Sequence, residues 1–289
     1  LTAYPEYSCT GDPFTVPPGG LWPITDIYCA GNDSTFFFLE DILTEVMDLF
    51  PSEYIHIGGD EATKTEWEKC PKCQKRIRTE GLKNTEELQS YFIRRMEKFI
   101  NSKGRKLIGW DEILEGGLAP RATVMSWRGY KGGIEAAEQG HDVVMTPLNP
   151  VYFNLYQGPV DMEPIAWGGY NPLNKVYEFD PVHESMSEEA ASHVLGGQAN
   201  LWTEFITEKE LAMYMTFPRL AALSETLWTP KALQDWTDFS QKLPHLFDRY
   251  DKMGIHYAKS VYLVLPKAEM SVEDKTVSIS LTSETPNPD

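Results

Sequence analysis

Five short apolar segments, each with the character of a β-strand, alternate along the chain with segments that have helical spacing. The strand-like segments are residues 52–59, 105–112, 122–129, 141–149 and 192–204. Apolar residues three and four apart predict helices over 34–50, 85–104, 208–228 and roughly 231–253. Because strands that alternate with helices are joined by crossover connections, this order predicts an α/β fold with a parallel sheet.

The ends of the helices carry recognisable signals. Ser34 is the expected N-cap of the first helix, and Pro51 stops it. Gly104 closes the second helix, because a left-handed residue commonly ends a helix there.

Four of the strand segments end in a tryptophan or an acid. They end in "GGDE" (58–61), "GWDE" (109–112), "SWRG" (126–129) and "LWTE" (201–204). In a (β/α)8 barrel the carboxyl ends of all strands meet at one mouth, whereas a doubly wound sheet gathers such residues at its switch point. The sequence also lacks a glycine-rich nucleotide loop. A (β/α)8 barrel is therefore the predicted fold, with about three strand–helix units expected upstream of Leu1.

The end of the chain changes character. Residues 260–284 show the period-two alternation of β-strands, as in "KTVSISL". We therefore predict a partial (β/α)8 catalytic domain over residues 1–258 and a β-rich tail over residues 259–289, the start of a further domain.

Composition excludes some functions. The formal net charge of −17 disfavours nucleic acid as a partner, because phosphate binding needs an excess of Lys and Arg. No apolar run is long enough to predict a membrane span. Aromatic residues make up 12% of the chain and include eight tryptophans, which suit either sugar platforms or ordinary core packing.

The four cysteines leave several interpretations open. Cys9 and Cys29 flank a Pro/Gly-rich loop, and Cys70 and Cys73 form "CPKC". A zinc ribbon would need two such close pairs or a matching His pair, and a redox motif would need a βαβ context. The pair is interpreted as part of a disulfide-stapled loop or as two thiols, and no metal or cofactor is predicted.

The motifs together resemble glycoside hydrolase family 20, the β-N-acetylhexosaminidases. The resemblance rests on "YIHIGGDEA", "LIGWDEI", "VMSWRGY", "NLWTE" and "FPRLAALSETLW", in this order and spacing. "HIGGDE" followed about 140 residues later by "NLWTE" is the most specific combination. The resemblance implies a (β/α)8 barrel that releases terminal β-linked GlcNAc or GalNAc from an oligosaccharide or glycoconjugate.

The resemblance also implies a role for each catalytic residue. Glu61 would be the general acid and then the general base. Asp60 would orient the 2-acetamido group of the substrate, whose oxygen is the nucleophile, and Tyr152 would hydrogen-bond that oxygen. Gly58 and Gly59 would bend the backbone so that both acids serve one pocket.

Substrate-binding roles are implied for six further residues. Tryptophans would wall the acetamido pocket and the floor under the sugar, Trp167 would stack on the aglycone, and Glu204 would bind the 4- and 6-hydroxyls. Asn154 stands where the family more often has Asp. The six residues are Trp110, Trp127, Asn154, Trp167, Trp202 and Glu204.

Other interpretations stay open at this point. Asp60 and Glu61 could be a helix N-terminal acidic pair, or could bind a metal with His56, although His56 is better explained as a hydrogen-bonded structural residue. Arg128 and Arg219 are interpreted as structural, Arg128 as the partner of a barrel acid. The family's first-strand Arg and its Pro-Gly-His segment have no counterpart in this chain.

Two other classes of function compete with the glycosidase. One is a barrel that binds amino sugars without turnover, and the other is an α/β oxidoreductase or a different hydrolase. A periplasmic or extracellular location is expected from the substrate class, and dimerisation is left open.

Overall fold

The computed structural model describes residues 1–16, 25–271 and 276–285. The central part of the Pro/Gly-rich loop between Cys9 and Cys29, and parts of the β-rich tail, lie outside these ranges. Within them, no helix is long and apolar enough to cross a membrane.

The helices follow the predicted order with several short additions. They are α1 (Asp33–Leu49), α2 (Thr65–Lys69), α3 (Pro71–Glu80), α4 (Thr85–Ser102), α5 (Lys131–Glu138), α6 (Leu148–Val151), α7 (Leu173–Tyr177), α8 (Glu188–Ser192), α9 (Lys209–Thr216), α10 (Arg219–Trp228) and α11 (Trp236–Met253). Short 3-10 turns cover Pro5–Tyr7, Asp111–Leu114, Lys231–Leu233 and Ser260–Tyr262.

The strands also match the sequence pattern. They are β1 (Tyr54–His56), β2 (Lys106–Trp110), β3 (Thr123–Ser126), β4 (Val143–Met145), β5 (Val194–Gly197), β6 (Leu265–Ser271) and β7 (Thr276–Thr282). All five strands expected before residue 205 are confirmed, each shorter than its apolar segment. The period-two tail forms an antiparallel pair of β6 and β7, whereas the domain boundary at residue 258 stays a prediction.

The chain divides into two compact units. The first contains residues 1–145 and 182–195, and the second contains residues 146–181 and 196–289. The first unit holds β1 to β4 and the first two residues of β5, in a sheet of the order β1-β2-β3-β4-β5. Neighbouring strands from β1 to β4 are parallel, with Ile55 opposite Leu107 and Val124 opposite Val143. Strands that stay in sequence order without a reversal favour a barrel over a doubly wound sheet.

The core of the first unit lies between the sheet and its helices. α4 packs against β2, and α5 packs against β3 and β4. The strand residues Leu107, Val124 and Val143 are fully buried. In the second unit, α10 packs against α7, and the rings of Tyr177, Trp236 and Phe239 are in contact.

Three helix ends differ from the sequence prediction. Asn32, not Ser34, caps α1, because its side chain accepts a hydrogen bond of 3.2 Å from the Ser34 N–H. The helix predicted over 208–228 is broken in two at Pro218, which cannot donate a backbone hydrogen bond. The last helix starts at Trp236 instead of Lys231, because the Asp235 side chain accepts from two N–H groups there.

Candidate functional site

The loop after β1 has the backbone geometry that its glycines suggested. Gly58 and Gly59 have φ values of 74° and 100°, and Glu61 has a φ of 48°. A left-handed conformation is uncommon for a non-glycine residue, and strained conformations of this kind cluster at functional sites. A Cβ atom on Gly59 would lie 2.6 Å from Ile113 Cγ2, so a larger residue there would force the loop or Ile113 to shift. The loop therefore leaves strand geometry before Asp60 and Glu61.

Hydrogen bonds fix this loop to the end of the neighbouring strand. The Trp110 N–H donates to the Gly58 carbonyl at 2.9 Å. The Gln89 side chain donates to the carbonyls of Gly59 and Glu112, both at 3.2 Å, and so bridges the turns that follow β1 and β2. The carboxylate loop is thus held by α4 as well as by β2.

His56 is the last residue of β1 and supports the same loop. Its Nδ1 accepts a hydrogen bond of 3.0 Å from the Gly58 N–H, and its ring lies 4.8 Å from the Trp110 ring. Burial lowers the pKa of His56, and the charge of Asp60 opposes the shift. A metal ligand set of His56, Asp60 and Glu61 is not formed within the described part of the chain. The structural interpretation of His56 is confirmed.

Asp60 and Glu61 are exposed. They are not in the first turn of a helix, because the next helix, α2, begins at Thr65. The simple helix-capping interpretation of this acidic pair is therefore wrong. Asp60 lines a cavity of about 510 Å³ together with His56, Trp67 and Gln89.

A buried aspartate organises the end of β2. Asp111 is 1% exposed and accepts a hydrogen bond of 2.7 Å from Arg128 Nε. Ser126 Oγ and the Arg128 backbone N–H also donate to it, at 3.4 and 3.3 Å. The prediction that Arg128 pairs with a barrel acid is confirmed, and the pair fixes the segment around Trp127.

Sequence reasoning missed Glu112 as a residue of this edge. Its carboxylate is buried and accepts a hydrogen bond of 2.9 Å from Trp127 Nε1. Burial raises the pKa of Glu112 to about 7, although the Trp127 hydrogen bond and the Arg128 charge oppose the shift. The available signal was the adjacent acid pair in "GWDE", which repeats the arrangement of "GGDE".

The second unit brings Tyr152 and Trp202 together. Residues Tyr152 and Asn200 form a parallel bridge, and the Phe153 N–H donates to the Asn200 carbonyl at 2.7 Å. The rings of Tyr152 and Trp202 are 6.5 Å apart. Tyr152 is buried and Trp202 is 43% exposed.

Asn154 follows on the same segment. It is 6% exposed, and its Oδ1 has no hydrogen-bond partner among the residues that the structure describes. A buried acceptor of this kind is costly unless another group satisfies it. The backbone carbonyl of Asn154 accepts a hydrogen bond of 3.1 Å from the Trp167 N–H, which anchors the loop that carries the exposed Trp167. Glu204 is exposed in the turn after β5.

Arg219, the first residue of α10, supports the Tyr152–Asn154 segment. It is fully buried and donates to the carbonyls of Phe153, Leu155 and Asn171, the last two at 3.1 Å. Burial lowers the pKa of Arg219 to about 9. The structural interpretation of Arg219 is confirmed. Its hydrogen bonds hold the backbone of the segment that carries the predicted site residues Tyr152 and Asn154.

The predicted site residues thus fall into two groups. The first unit carries Asp60, Glu61, Trp110 and Trp127, and the second carries Tyr152, Asn154, Trp167, Trp202 and Glu204. That both groups line one pocket, with the roles given above, stays a prediction.

Comparison with known proteins identifies a family for most of the chain. The sequence model for the catalytic domain of glycosyl hydrolase family 20 matches residues 1–231. A relative from Porphyromonas gingivalis, named beta-hexosaminidase, is 49% identical over 259 residues, which are 89% of this chain and 33% of the relative. The chain therefore spans about a third of that relative's length.

Solved structures agree with the sequence comparison. The exo beta-N-acetylglucosaminidase of Vibrio harveyi, solved in complex with N-acetylglucosamine, has a TM-score of 0.76 and 32% identity over 81% of this chain and 37% of its own. The beta-N-acetylhexosaminidase of Bacteroides fragilis has a TM-score of 0.75 and 30% identity over 89% of this chain and 51% of its own. The partial (β/α) barrel is confirmed.

Proposed function

Because the chain belongs to glycosyl hydrolase family 20, we propose that it supplies the catalytic carboxylates of an exo-β-N-acetylhexosaminidase. The proposed substrates are oligosaccharides or glycoconjugates that end in β-linked GlcNAc or GalNAc. The proposed reaction retains the anomeric configuration and uses the 2-acetamido group of the substrate as nucleophile. Family 20 enzymes are among the retaining glycosidases without an enzyme nucleophile.

The conformation of the loop at residues 58–61 is the observation that best supports this proposal. Two adjacent acids on a regular strand would point to opposite faces of the sheet. Left-handed residues on both sides of Asp60 remove that alternation. Two neighbouring carboxylates suit a reaction in which one acid transfers the proton and the other orients the acetamido group.

The proposed first step forms one bond and breaks one. The acetamido carbonyl oxygen bonds to the anomeric carbon while the bond from that carbon to the glycosidic oxygen breaks. Glu61 gives its proton to the leaving oxygen. Asp60 accepts a hydrogen bond from the acetamido N–H and stabilises the positive charge of the oxazolinium ion.

The second step restores the enzyme. Glu61 takes a proton from water, and the water oxygen bonds to the anomeric carbon as the oxazolinium ring opens. Aromatic residues at the strand ends would exclude bulk water and pack against the methyl group and the sugar ring. In this proposal Tyr152 aims the acetamido oxygen, and Trp110, Trp127 and Trp202 form the walls.

The unpartnered Oδ1 of Asn154 suits a further substrate contact. A sugar hydroxyl that donates a hydrogen bond to Oδ1 would satisfy this acceptor, which lacks a partner among the described residues. We propose that Asn154 binds a ring hydroxyl, that Trp167 stacks on the aglycone, and that Glu204 binds the 4- and 6-hydroxyls.

The test of the mechanism compares two substrates on the protein that carries this chain. Aryl β-GlcNAc should be cleaved, and aryl β-glucoside should not, because glucose lacks the acetamide. Equal rates on the two substrates would rule out substrate assistance. Binding of a thiazoline analogue of the oxazolinium ion without any turnover would instead favour a sugar-binding barrel.

Variants test the two carboxylates separately. Glu61→Gln should slow cleavage of a disaccharide far more than cleavage of an aryl glycoside with a good leaving group. Asp60→Asn should slow both, because it weakens stabilisation of the oxazolinium ion. Glu53→Gln is a matched control, since Glu53 is exposed at the opposite end of β1 and pairs with Lys106. Retention of disaccharide cleavage in Glu61→Gln would contradict the assignment of the acid.

A further inference from the structure

The four cysteines, separated by up to 64 residues, meet in one cluster of the first unit. Their sulfur atoms all lie within 4.8 Å of one another. Three of the four residues are buried, and Cys9 is partly exposed. The sequence alone favours a disulfide-stapled loop or two thiols for the "CPKC" pair and predicts no metal. We call this group the cysteine cluster; it consists of Cys9, Cys29, Cys70 and Cys73.

Three of the six distances between the sulfurs match the edge length of a metal tetrahedron, and the other three are no longer than 4.8 Å. The Cys29 Sγ lies 3.8 Å from the Cys70 Sγ and 3.7 Å from the Cys73 Sγ, and the Cys9 Sγ lies 3.7 Å from the Cys73 Sγ. Zinc–sulfur bonds of about 2.3 Å in tetrahedral geometry place neighbouring sulfurs about 3.8 Å apart. These three sulfur–sulfur distances therefore agree with four thiolates around one centre.

Disulfides explain the cluster less well. A disulfide bond holds its sulfurs about 2.0 Å apart, and all four cysteines are free thiols in the structure. Cys29 is equally close to two different partners, and so is Cys73. Paired bridges would draw each sulfur towards one partner only.

The backbone around the cluster is built for a close approach of two ligand loops. A Cβ atom on Gly31 would lie 2.2 Å from the Lys72 carbonyl carbon and 2.4 Å from the Cys73 nitrogen. The loop after Cys29 thus packs directly against the backbone of the "CPKC" turn, and only glycine allows that contact. Nothing in the proposed glycosidase chemistry explains why these two turns should be so close.

The "CPKC" turn begins a helix that favours thiolates. Cys70 is the N-cap of α3, Pro71 is its first residue, and Cys73 lies in its first turn. The positive end of a helix stabilises negatively charged sulfur. α3 has ten residues, and its orientation is fixed by a hydrogen bond of 3.0 Å from Gln74 Nε2 to the Trp67 carbonyl.

Apolar side chains cover the cluster. Trp67 and Leu88 are buried against it, and Ile27, Leu82 and Phe92 pack around them. Trp67 Nε1 donates to the Tyr28 carbonyl at 2.9 Å, and the Cys29 N–H donates to the Tyr7 carbonyl at 2.8 Å. A closed, four-coordinate site under apolar cover has the character of a structural zinc site and leaves no position for a substrate.

We propose that the cysteine cluster binds a zinc ion as a structural tetrathiolate site. Each thiol loses a proton to solvent as it binds the metal, and no oxidant is involved. The zinc links the segment before α1 to the α2–α3 turn, which is separated from the Asp60–Glu61 loop by the short helix α2. A cubane iron–sulfur cluster does not fit, because its irons and sulfides would hold the cysteine sulfurs farther apart. The proposal does not depend on the glycosidase assignment.

Metal analysis of the protein carrying this chain, purified without chelator, is the direct test. We expect zinc in stoichiometric amount, released when a mercurial reagent modifies the thiols and measured with a zinc indicator. Cobalt substitution should give the intense visible bands and thiolate charge-transfer bands of tetrahedral Co²⁺. Stoichiometric iron in place of zinc, or disulfides found by thiol counting in the unfolded protein, would overturn the proposal.

Variants locate the metal within the chain. Cys29→Ser and Cys73→Ser should each lose the bound zinc, whereas Lys72→Ala should keep it, because that exposed side chain lies between two ligands without being one. If the serine variants fail to fold, the zinc content and cobalt spectrum of the wild-type protein still decide the question. Full zinc content in folded Cys29→Ser and Cys73→Ser would refute the site.

Discussion

Trp127 Nε1 donates a hydrogen bond of 2.9 Å to Glu112 Oε2. The bond links the residue after β3 to the turn after β2 and sets the orientation of a tryptophan proposed to wall the sugar site. It also places a carboxylate with a pKa of about 7 beside that site. The consequences of this arrangement can be measured through the stability of the protein.

Glu112 should make the protein less stable as the pH rises. Its pKa is about 7 in the folded state and 4.5 in its ordinary state, so between these values the folded state binds more protons than the unfolded state. The free energy of unfolding contributed by this group therefore falls as the pH rises from about 4.5 to about 7. Once the pH exceeds about 7, the accumulated loss is on the order of 3 kcal/mol, because each unit between the two pKa values corresponds to about 1.4 kcal/mol.

Glu112→Gln should remove this part of the pH dependence. The amide oxygen can still accept from Trp127, and the variant should gain stability relative to wild type above pH 7. Denaturant unfolding at a series of pH values measures the difference. Burial also raises the pKa of Glu284 to about 7. Because Glu284 is present in both proteins, its part of the pH dependence cancels in the difference between their free energies of unfolding. A variant with the same slope as wild type would show that Glu112 does not titrate in this range.

Removing the Arg128 side chain should leave a buried acid without its strongest partner. Arg128→Met keeps the apolar stem but removes the Nε bond to Asp111, whose side chain is 2% exposed. Because the Ser126 hydroxyl and one backbone N–H still donate to Asp111, we expect a loss of about 2 kcal/mol. Chemical denaturation measures it, and Arg78→Met, at an exposed position, is the control. A loss no larger than that of the control would mean that Asp111 does not need its cation.

Much of the fold is predictable because its signals are local. Each strand is an apolar run bounded by turn residues, and the helices have an amphipathic period that needs no knowledge of their neighbours. The helix predicted over 208–228 failed at Pro218, a local signal that the prediction gave too little weight. Parallel strand order followed from the alternation of elements alone.

The site was predictable only in part, because burial and contacts between distant residues cannot be inferred from a short stretch of sequence. "GGDE" and "GWDE" look alike, yet Asp60 is exposed and Asp111 is buried by contacts with α5 and β3 residues. The cysteine cluster joins Cys9 and Cys29 to the "CPKC" pair, and no spacing rule relates them. Only the folded backbone around Gly31 brings the two pairs together.

Replacing Arg219 should destabilise the second unit and weaken substrate binding. Arg219→Met removes the donors that satisfy the carbonyls of Phe153, Leu155 and Asn171. Unsatisfied buried carbonyls should lower the free energy of unfolding by about 3–5 kcal/mol. In the folded fraction, the rise in KM for aryl β-GlcNAc should exceed the fall in kcat if the Tyr152–Asn154 segment moves. Arg249→Met, at an exposed position, should change neither quantity, and equal behaviour of the two variants would contradict the prediction.

Gly59→Ala should lower kcat/KM strongly while it lowers the free energy of unfolding only modestly. The new Cβ would contact Ile113 and would have to adopt a φ near 100°, so the Asp60–Glu61 loop must shift. A shift of about 1 Å can cost about 100-fold in rate, which kcat/KM on aryl β-GlcNAc would report. Gly104→Ala is the matched control, because Gly104 also has a positive φ but its Cβ would meet nothing within 4 Å. Equal loss of activity in both variants would show that general strain, not the loop position, is responsible.

Gly31→Ala should break the contact between the two turns of the cysteine cluster. Its Cβ would overlap backbone atoms of Lys72 and Cys73, and backbone cannot move aside as a flexible side chain can. We expect a loss of stability of about 2–3 kcal/mol and weaker zinc retention during dialysis against a chelator. Gly81→Ala at the end of α3 separates the effects, because Gly81 has a φ of 68° and open space around it. It should lose about 1 kcal/mol from strain alone and keep its zinc. Wild-type zinc retention in Gly31→Ala would mean that the close packing of the two turns does not support the metal.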